Sequence, residues 1–146
     1  MTSGFQRSCQ DFASRFPNRP WNDILEPDLF ISGDPLLMQI LVNNLIDNAV
    51  KYSPPGTSIA INLKKDGDQG ILEIIDEGSG IPKKEQKRIF QKFYRVGNED
   101  TRTAQGTGLG LYLARKIAQD HKMRLQVSDN RPKGSIFTVR FNLIQI

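Results

Sequence analysis

The most constraining feature of this sequence is one long helix whose two ends are both marked by residue type. Asp34 followed by Pro35 predicts its start, because an Asp side chain caps free N–H groups and proline suits the first helical position. The Ser-Pro-Pro-Gly run at 53–56 must end it, because the residue before a proline disfavours helical conformation. Between these limits apolar residues recur at spacings of three and four, which predicts a helix over 35–52 with a buried face. They are Met38, Val42, Leu45, Ile46 and Ala49.

The remaining pattern predicts a sheet and two further helices. Apolar residues alternate over 57–64, and Asp66-Gly67 is typical of a hairpin turn into a partner strand at 71–75. The three prolines within residues 1–27 indicate a linker with one short strand at 12–16. The other predicted elements are strands at 29–32, 125–128 and 136–143, a short basic helix at 82–90 and a helix at 109–120. This order predicts an α+β fold, a two-layer α/β sandwich with helices on one face of a mixed, mostly antiparallel sheet.

Composition excludes several classes of protein. A single cysteine and a single histidine allow no disulfide framework and no conventional zinc centre. No apolar run approaches the roughly 18 residues that span a membrane, and no secretory signal is visible, so we expect a cytoplasmic location. The net charge of +4 falls short of the basic stripe of a nucleic-acid-binding protein, and no nucleic-acid partner is expected.

A polar face accompanies the apolar face of the long helix. Asn44, Asn48, Lys51 and Tyr52 follow spacings of three and four, which place them on one side. Asn inside a helix costs roughly half a kcal/mol relative to Ala, so two of them one turn apart need a reason. One reason is a solvated polar face. The other is a site where amide oxygens, an ammonium group and an aromatic ring hold a metal ion, a phosphate and a base.

Two glycine-containing segments could also bind a ligand. Residues 76–82, Asp-Glu-Gly-Ser-Gly-Ile-Pro, follow a strand, where a carboxylate can accept a hydrogen bond from an amine and glycines admit a planar ring. A plain turn explains this segment equally well. Residues 106–111, Gly-Thr-Gly-Leu-Gly-Leu, open a helix, whose free N–H groups suit an anion. This second segment is neither a Walker A loop nor a dinucleotide fingerprint, because it lacks the Lys-Ser/Thr pair and a surrounding βαβ unit.

The order of these motifs is informative. The Asn-rich helix, the 76–82 segment, the pair Phe90 and Phe93, and the 106–111 segment together resemble the ATP-binding domain of sensor histidine kinases. That domain belongs to the superfamily of gyrase, Hsp90, these kinases and MutL. Residues 41–52 are similar to the family's asparagine box almost position for position. The resemblance covers residues 28–146, implies that they form an ATP-binding catalytic domain with the Bergerat fold, and leaves residues 1–27 as a linker.

The resemblance implies that ATP and Mg²⁺ bind here. It places Mg²⁺ on Asn48, puts Asn44 one turn earlier as a second polar residue, and gives Lys51 and Arg95 contacts with the phosphates. These four residues are the ones to which the resemblance assigns catalytic roles.

The resemblance also implies how adenine is bound. Asp76 is implied to accept a hydrogen bond from the adenine amino group, with Tyr52 and Thr138 near the ring. The remaining implied contacts lie beside the ring and along the lid that covers the phosphates. They are Gly78, Gly80, Ile81, Gly106, Thr107, Gly108, Leu109, Gly110 and Leu111.

The residue at position 44 separates kinases from hydrolases. Hydrolases of the superfamily carry Glu there as a general base, whereas the Asn44 amide cannot accept a proton at neutral pH. The implied reaction is therefore transfer of the ATP γ-phosphoryl group to a histidine, which requires positioning and charge neutralisation. The single histidine, His121, falls at a helix end and is implied to be structural. The phosphoacceptor histidine is then expected on a separate dimerisation domain.

The resemblance implies further partners as well. They are that dimerisation domain, a response regulator whose Asp receives the phosphoryl group, and a second copy in a full-length homodimer. Two alternatives stay open. One is an ATPase or Ser/Thr kinase of the same superfamily, and the other is a degenerate nucleotide-binding module that docks partners.

Overall fold

The computed structural model describes residues 2–92 and 109–144. Within these residues three helices and five strands follow one another along the chain. Their bounds are α1 (Thr2–Arg15), β1 (Trp21–Leu25), α2 (Pro35–Tyr52), β2 (Ile59–Asp66), β3 (Gln69–Asp76), α3 (Gly110–Asp120), β4 (Arg124–Asp129) and β5 (Ser135–Asn142).

The five strands form one sheet in the order β1-β2-β3-β5-β4. β1 runs parallel to β2, and the other neighbouring strands are antiparallel. Alternate residues of β2, β3 and β5 are buried together with the apolar faces of α2 and α3, which places the helices against one face of the sheet. Ile61, Ile74 and Phe137 are examples of these buried strand residues. The predicted two-layer α+β sandwich is confirmed.

Local chemistry sets both ends of α2, as the sequence predicted. The Asp34 carboxylate accepts a hydrogen bond from the N–H of Leu36 at 2.8 Å, and Pro35 occupies the first turn. The helix ends at Tyr52, and Ser53 adopts an extended conformation ahead of the two prolines. All five apolar residues predicted to face the core are buried, and Leu41 joins them.

The single histidine lies between the end of α3 and the residues just before α2. His121 caps the C-terminal end of α3, and its ring Nδ1 lies 2.8 Å from the carbonyl oxygen of Ile117. The same ring contacts Gly33, just before α2 begins. His121 therefore has the structural position that the resemblance implied.

The N-terminal residues differ from the prediction. The strand predicted at 12–16 is wrong, because α1 extends to Arg15. Phe5, Cys9 and Phe12 follow helical spacing and are buried in the core, a pattern masked in the sequence by the prolines that follow it. β1 then adds a parallel strand at the edge of the sheet. Both elements pack on the same core as the rest of the described chain.

Two other predicted elements are also wrong. Residues 29–32 form no strand; Asp28, with a φ of 63°, turns the chain there, and the Phe30 carbonyl accepts a hydrogen bond from the N–H of Ile144. The predicted helix at 82–90 is absent, and residues 83–90 form consecutive turns. Lys83 and Lys84 each precede another basic residue by four positions, and like charges at that spacing disfavour a helix. None of the helices in the described ranges has the length and apolarity needed to cross a membrane.

Candidate functional site

The predicted site residues converge where β3 ends beside the last turn of α2. Asp76 is the final residue of β3 and pairs in register with Ile59, whose side chain is fully buried on the helix face of the sheet. Paired residues of neighbouring strands face the same side, so Asp76 also points toward the helices. Gly78 packs directly against the carbonyl oxygen of Tyr52, where any Cβ atom would collide. Glycine at this position therefore allows the loop after β3 to contact the end of α2.

The Asp76 carboxylate is buried and held in one orientation. Only 3% of the residue is exposed. Its Oδ1 accepts hydrogen bonds from the backbone N–H groups of Gly78 at 2.9 Å and Ser135 at 3.2 Å. Burial raises the pKa of Asp76 above its ordinary value, while these two N–H groups and the positive charge of Arg19 lower it. Because Oδ1 is already engaged, Oδ2 is the atom that can accept a hydrogen bond from a ligand.

The turn between β4 and β5 also packs against Asp76, and we call the region bounded by Tyr52, Asp76, Gly78 and Gly134 the recess. Gly134, with a φ of 109°, packs directly against the carbonyl oxygen of Asp76. The side-chain amide of Asn130 donates to that same oxygen at 2.9 Å. Gly80, in the loop after β3, lies close to the Gly134 carbonyl. The backbone around Asp76 is therefore fixed by contacts from two separate segments.

The polar face of α2 continues from this recess toward the start of α3. The Asn44 amide nitrogen Nδ2 is buried and has no hydrogen-bond partner among the described residues. Its Oδ1 lies 3.5 Å from the point that a Cβ on Gly110 would occupy. Asn48, one turn later, is half-buried. Lys51 is exposed and bonded to Asp47 at 2.9 Å, so contact with a phosphate requires this exposed pair to separate.

The start of α3 lies against α2 and has no side-chain cap. Leu109 occupies the N-cap position and its side chain offers no hydrogen-bond acceptor to the first N–H groups of the helix. Such N–H groups and the helix dipole favour an anion. Leu111 is partly buried and packs against the hydrophobic core, and its contact with a nucleotide stays a prediction.

One predicted residue lies elsewhere, and others lie outside the described residues. Thr138 pairs with Glu73 and belongs to the face of β5 opposite Phe137 and Val139, so it faces away from Asp76. Ser135, three residues earlier, contacts Asp76 instead and replaces Thr138 in the site. Ile81 follows the recess and packs on the core. The predictions for Arg95, Gly106, Thr107 and Gly108 fall outside the described residues.

Sequence reasoning missed two residues at this recess, Ser135 and Arg19. Ser135 follows Gly134 at the start of a predicted strand, and its buried N–H binds Asp76. Arg19 lies in the segment that was predicted to be a linker, yet only 9% of it is exposed. An arginine beside two prolines carries no pattern in the sequence, because its acceptors lie more than 30 residues away.

These residues fit a ligand that has both a planar amine and an anionic group. The amine would meet Asp76, and the anion would lie near the uncapped start of α3 and the unpartnered amide of Asn44. Among the described residues no cluster of three His, Cys, Asp or Glu could hold a metal ion unaided. Amide oxygens such as that of Asn48 can still bind Mg²⁺ when phosphate oxygens supply the other ligands. The donor set therefore fits a magnesium ion carried by a nucleotide.

Comparison with known proteins agrees with this chemistry. The family model described as histidine kinase-, DNA gyrase B-, and HSP90-like ATPase matches residues 33–145. The sensor histidine kinase RcsC of Escherichia coli is 38% identical over 121 residues, which cover 82% of this chain and 13% of that protein. The sensor-like histidine kinase SenX3 of Mycolicibacterium smegmatis is 36% identical over 109 residues, covering 75% of this chain and 28% of that protein.

A solved structure shows the same fold. The mycobacterial sensor histidine kinase MprB superposes with a TM-score of 0.86 at 28% sequence identity, covering 100% of this chain and 96% of the solved chain. The two curated relatives are much longer, since this chain spans 13% of one and 28% of the other.

Proposed function

The chain belongs to the family of histidine kinase-, DNA gyrase B-, and HSP90-like ATPases as an ATP-binding catalytic domain of the sensor histidine kinase type, and on that premise we propose its reaction. It transfers the γ-phosphoryl group of ATP to a histidine on a separate dimerisation domain. The phosphohistidine then supplies an Asp of a response regulator. The nucleotide-binding part lies within residues 28–146, and α1 and β1 pack on the same core.

The buried carboxylate of Asp76 is the observation that carries the proposal. Oδ1 is held by two backbone N–H groups, so Oδ2 accepts the hydrogen bond from the adenine amino group. Gly78 and Gly80 let the loop after Asp76 pack closely on its neighbours, and Tyr52, 39% exposed at the end of α2, would lie against the ring. A carboxylate accepts from an amino group but not from the 6-oxo group of guanine, which favours ATP.

The phosphates extend from this recess along α2 toward α3. Asn48 would hold Mg²⁺, and the ion would neutralise phosphate charge and orient the phosphates of ATP for in-line transfer. The Asn44 amide nitrogen, buried without a partner in the described chain, supplies a hydrogen-bond donor next to Gly110. Lys51 adds positive charge once it leaves Asp47. Arg95 and the 106–108 segment complete this end in the proposal.

Asn44 also supports a kinase in preference to a hydrolase. A side-chain amide offers no basic atom to remove a proton from water. ATP bound here would therefore be retained until a stronger nucleophile, the imidazole of a histidine, reaches the γ-phosphate. We place the domain in the cytoplasm, as part of a homodimeric sensor, where ATP and a response regulator are present.

Calorimetric titration tests nucleotide binding. ATP is titrated into the chain with and without Mg²⁺, and Asn48→Ala is compared with the matched variant Asn62→Ala, which lies on the outer face of β2. We expect the Asn48 change to remove the effect of Mg²⁺ on affinity and the Asn62 change to leave it intact. Equal effects from both variants would reject the metal role of Asn48.

Radiolabelled ATP tests the reaction itself. The chain alone should release little phosphate, and addition of a histidine kinase dimerisation domain from a close relative should produce an acid-labile, base-stable phosphoprotein. Steady phosphate release without an acceptor would instead identify a hydrolase. Acid-stable labelling of the acceptor would identify a Ser/Thr kinase.

A further inference from the structure

We infer that Arg19 is a positioning residue of the nucleotide site, an inference that rests on the function proposed above. Its guanidinium group donates to four oxygen atoms contributed by three residues. The acceptors are the carbonyl oxygen of Thr57 at 3.1 Å, the Thr57 hydroxyl at 3.3 Å, and the carbonyl oxygens of Val50 and Ser53 at 3.4 Å each. A planar guanidinium can serve several acceptors at once, which the ammonium group of lysine cannot do in a fixed geometry.

Two of these acceptors lie at the C-terminal end of α2. The last carbonyl groups of a helix lack partners within the helix, and a positive charge there is favourable. Arg19 binds the carbonyls of Val50 and Ser53, which lie on either side of Lys51 and Tyr52 in the sequence. The Tyr52 carbonyl, between them, is the atom against which Gly78 packs. Arg19 therefore fixes the helix end that forms one wall of the adenine recess.

The sheet brings Arg19 to the same end of the molecule as Asp76. Pro20, the next residue, accepts a hydrogen bond from the N–H of Ile59 at 3.1 Å. Ile59 in turn pairs in register with Asp76. Arg19 thus supplies buried positive charge at the end of the sheet where Asp76 is buried. Burial raises the pKa of Asp76, and the charge of Arg19 opposes that effect.

The other charged groups that the structure describes at this end are bound to a neighbour or exposed. Glu77, adjacent to Asp76, accepts a hydrogen bond from the Ser58 hydroxyl at 2.8 Å. On α2, Lys51 and Asp47 bind each other. Lys133, before the Gly134 turn, is exposed. Among the described residues at this end, Arg19 is thus a buried cation whose charge favours the ionised form of Asp76, against the larger effect of burial on the pKa.

Binding of adenosine, which has no phosphates, isolates this role. Adenosine and ATP are titrated into the wild-type chain, Arg19→Gln, Arg19→Lys and the control Arg7→Gln, a change at an exposed arginine on α1. Titrations run from about pH 4 to pH 8, a range that spans carboxylate ionisation. Each is performed at a temperature where thermal unfolding shows the variant to be folded.

We expect Arg19→Gln to weaken adenosine and ATP by the same factor, about tenfold at neutral pH. The acid limb of its binding curve should also move to higher pH, because Asp76 loses a neighbouring positive charge. Arg19→Lys should keep the acid limb of the wild type and lose part of the affinity. Arg7→Gln should match the wild type in both measurements.

Two results would overturn the inference while leaving the proposed function intact. One is a lower melting temperature for both Arg19 variants with wild-type adenosine affinity and an unmoved acid limb, which is the behaviour of a purely structural residue. The other is a larger loss for ATP than for adenosine, which would place Arg19 at the phosphates. If Arg19→Gln does not fold, Arg19→Lys decides between these outcomes. Failure of the wild-type chain to bind ATP would reject the proposed function and the inference together.

Discussion

Replacing Asp76 with asparagine should reverse the preference of the site for the group at position 6 of the purine. Oδ1 of Asp76 accepts two backbone N–H hydrogen bonds, from Gly78 and Ser135. In Asp76→Asn the amide oxygen must take this place, because an amide nitrogen cannot accept them. The nitrogen then occupies the position of Oδ2 and presents a donor to the ligand. A donor repels the amino group of adenine and binds the 6-oxo group of inosine triphosphate.

The size of the effect follows from the charge that is lost. A hydrogen bond to a charged group contributes about 1.5 to 3 kcal/mol, so ATP affinity should fall about 10- to 150-fold. Fold stability should not fall with it. Burial raises the pKa of Asp76 in the folded state. The contribution of Asp76 to the free energy of unfolding is therefore greatest below the ordinary carboxyl pKa, and it is lost as pH rises through the pKa of the folded state. The amide of the asparagine variant does not ionise, so it carries no cost of burying a charge. The variant should therefore be at least as stable as the wild type at neutral pH.

Calorimetry with ATP and inosine triphosphate measures the reversal, and thermal unfolding across acid and neutral pH measures stability. Asp68→Asn, an exposed carboxylate in the turn between β2 and β3, is the matched control and should leave both unchanged. Equal losses of affinity for the two nucleotides would refute the reasoning about Oδ2. A marked drop in stability at neutral pH would refute the reasoning about burial.

Three further experiments test the fold, two of them by substitution and one by thiol labelling. Asp34→Ala removes the cap of α2 and should lower the free energy of unfolding by about 1 kcal/mol in urea titration, and Asp34→Asn should retain most of it. Gly134→Ala places a Cβ against the Asp76 carbonyl at a residue with positive φ. The resulting strain should lower the free energy of unfolding by about 1 to 3 kcal/mol and should also weaken ATP binding. Unchanged values of both would contradict the close packing. Burial, together with the charge of Asp23, raises the pKa of the Cys9 thiol to about 12. Thiol reagents at pH 8 should therefore label Cys9 only when the chain unfolds. Rapid labelling of the native chain would disprove the burial of Cys9.

Segments whose structure is determined by residues close by in the sequence were predictable. The Asp34-Pro35 start and the proline stop determine α2 because caps and breakers act within one helical turn. The Asp66-Gly67 turn likewise set the hairpin in which Asp66 pairs with Gln69. The predicted helix at 82–90 is wrong although its residues are individually compatible with one, because repulsion between basic residues four apart opposes it.

The sequence by itself determined the residue types of the site, its motif order and the family, because each motif is a continuous segment. Asn48 and Asp76 were identified in this way, and their roles remain predictions for titration to test. Only the tertiary structure decided which atoms meet. Arg19 reaches α2 and Thr57, and the Ser135 N–H, in place of Thr138, reaches Asp76, across separations of 31 to 59 residues. Contacts between distant segments depend on how the sheet registers and how α2 packs on it, and no pattern within a short stretch of sequence encodes them.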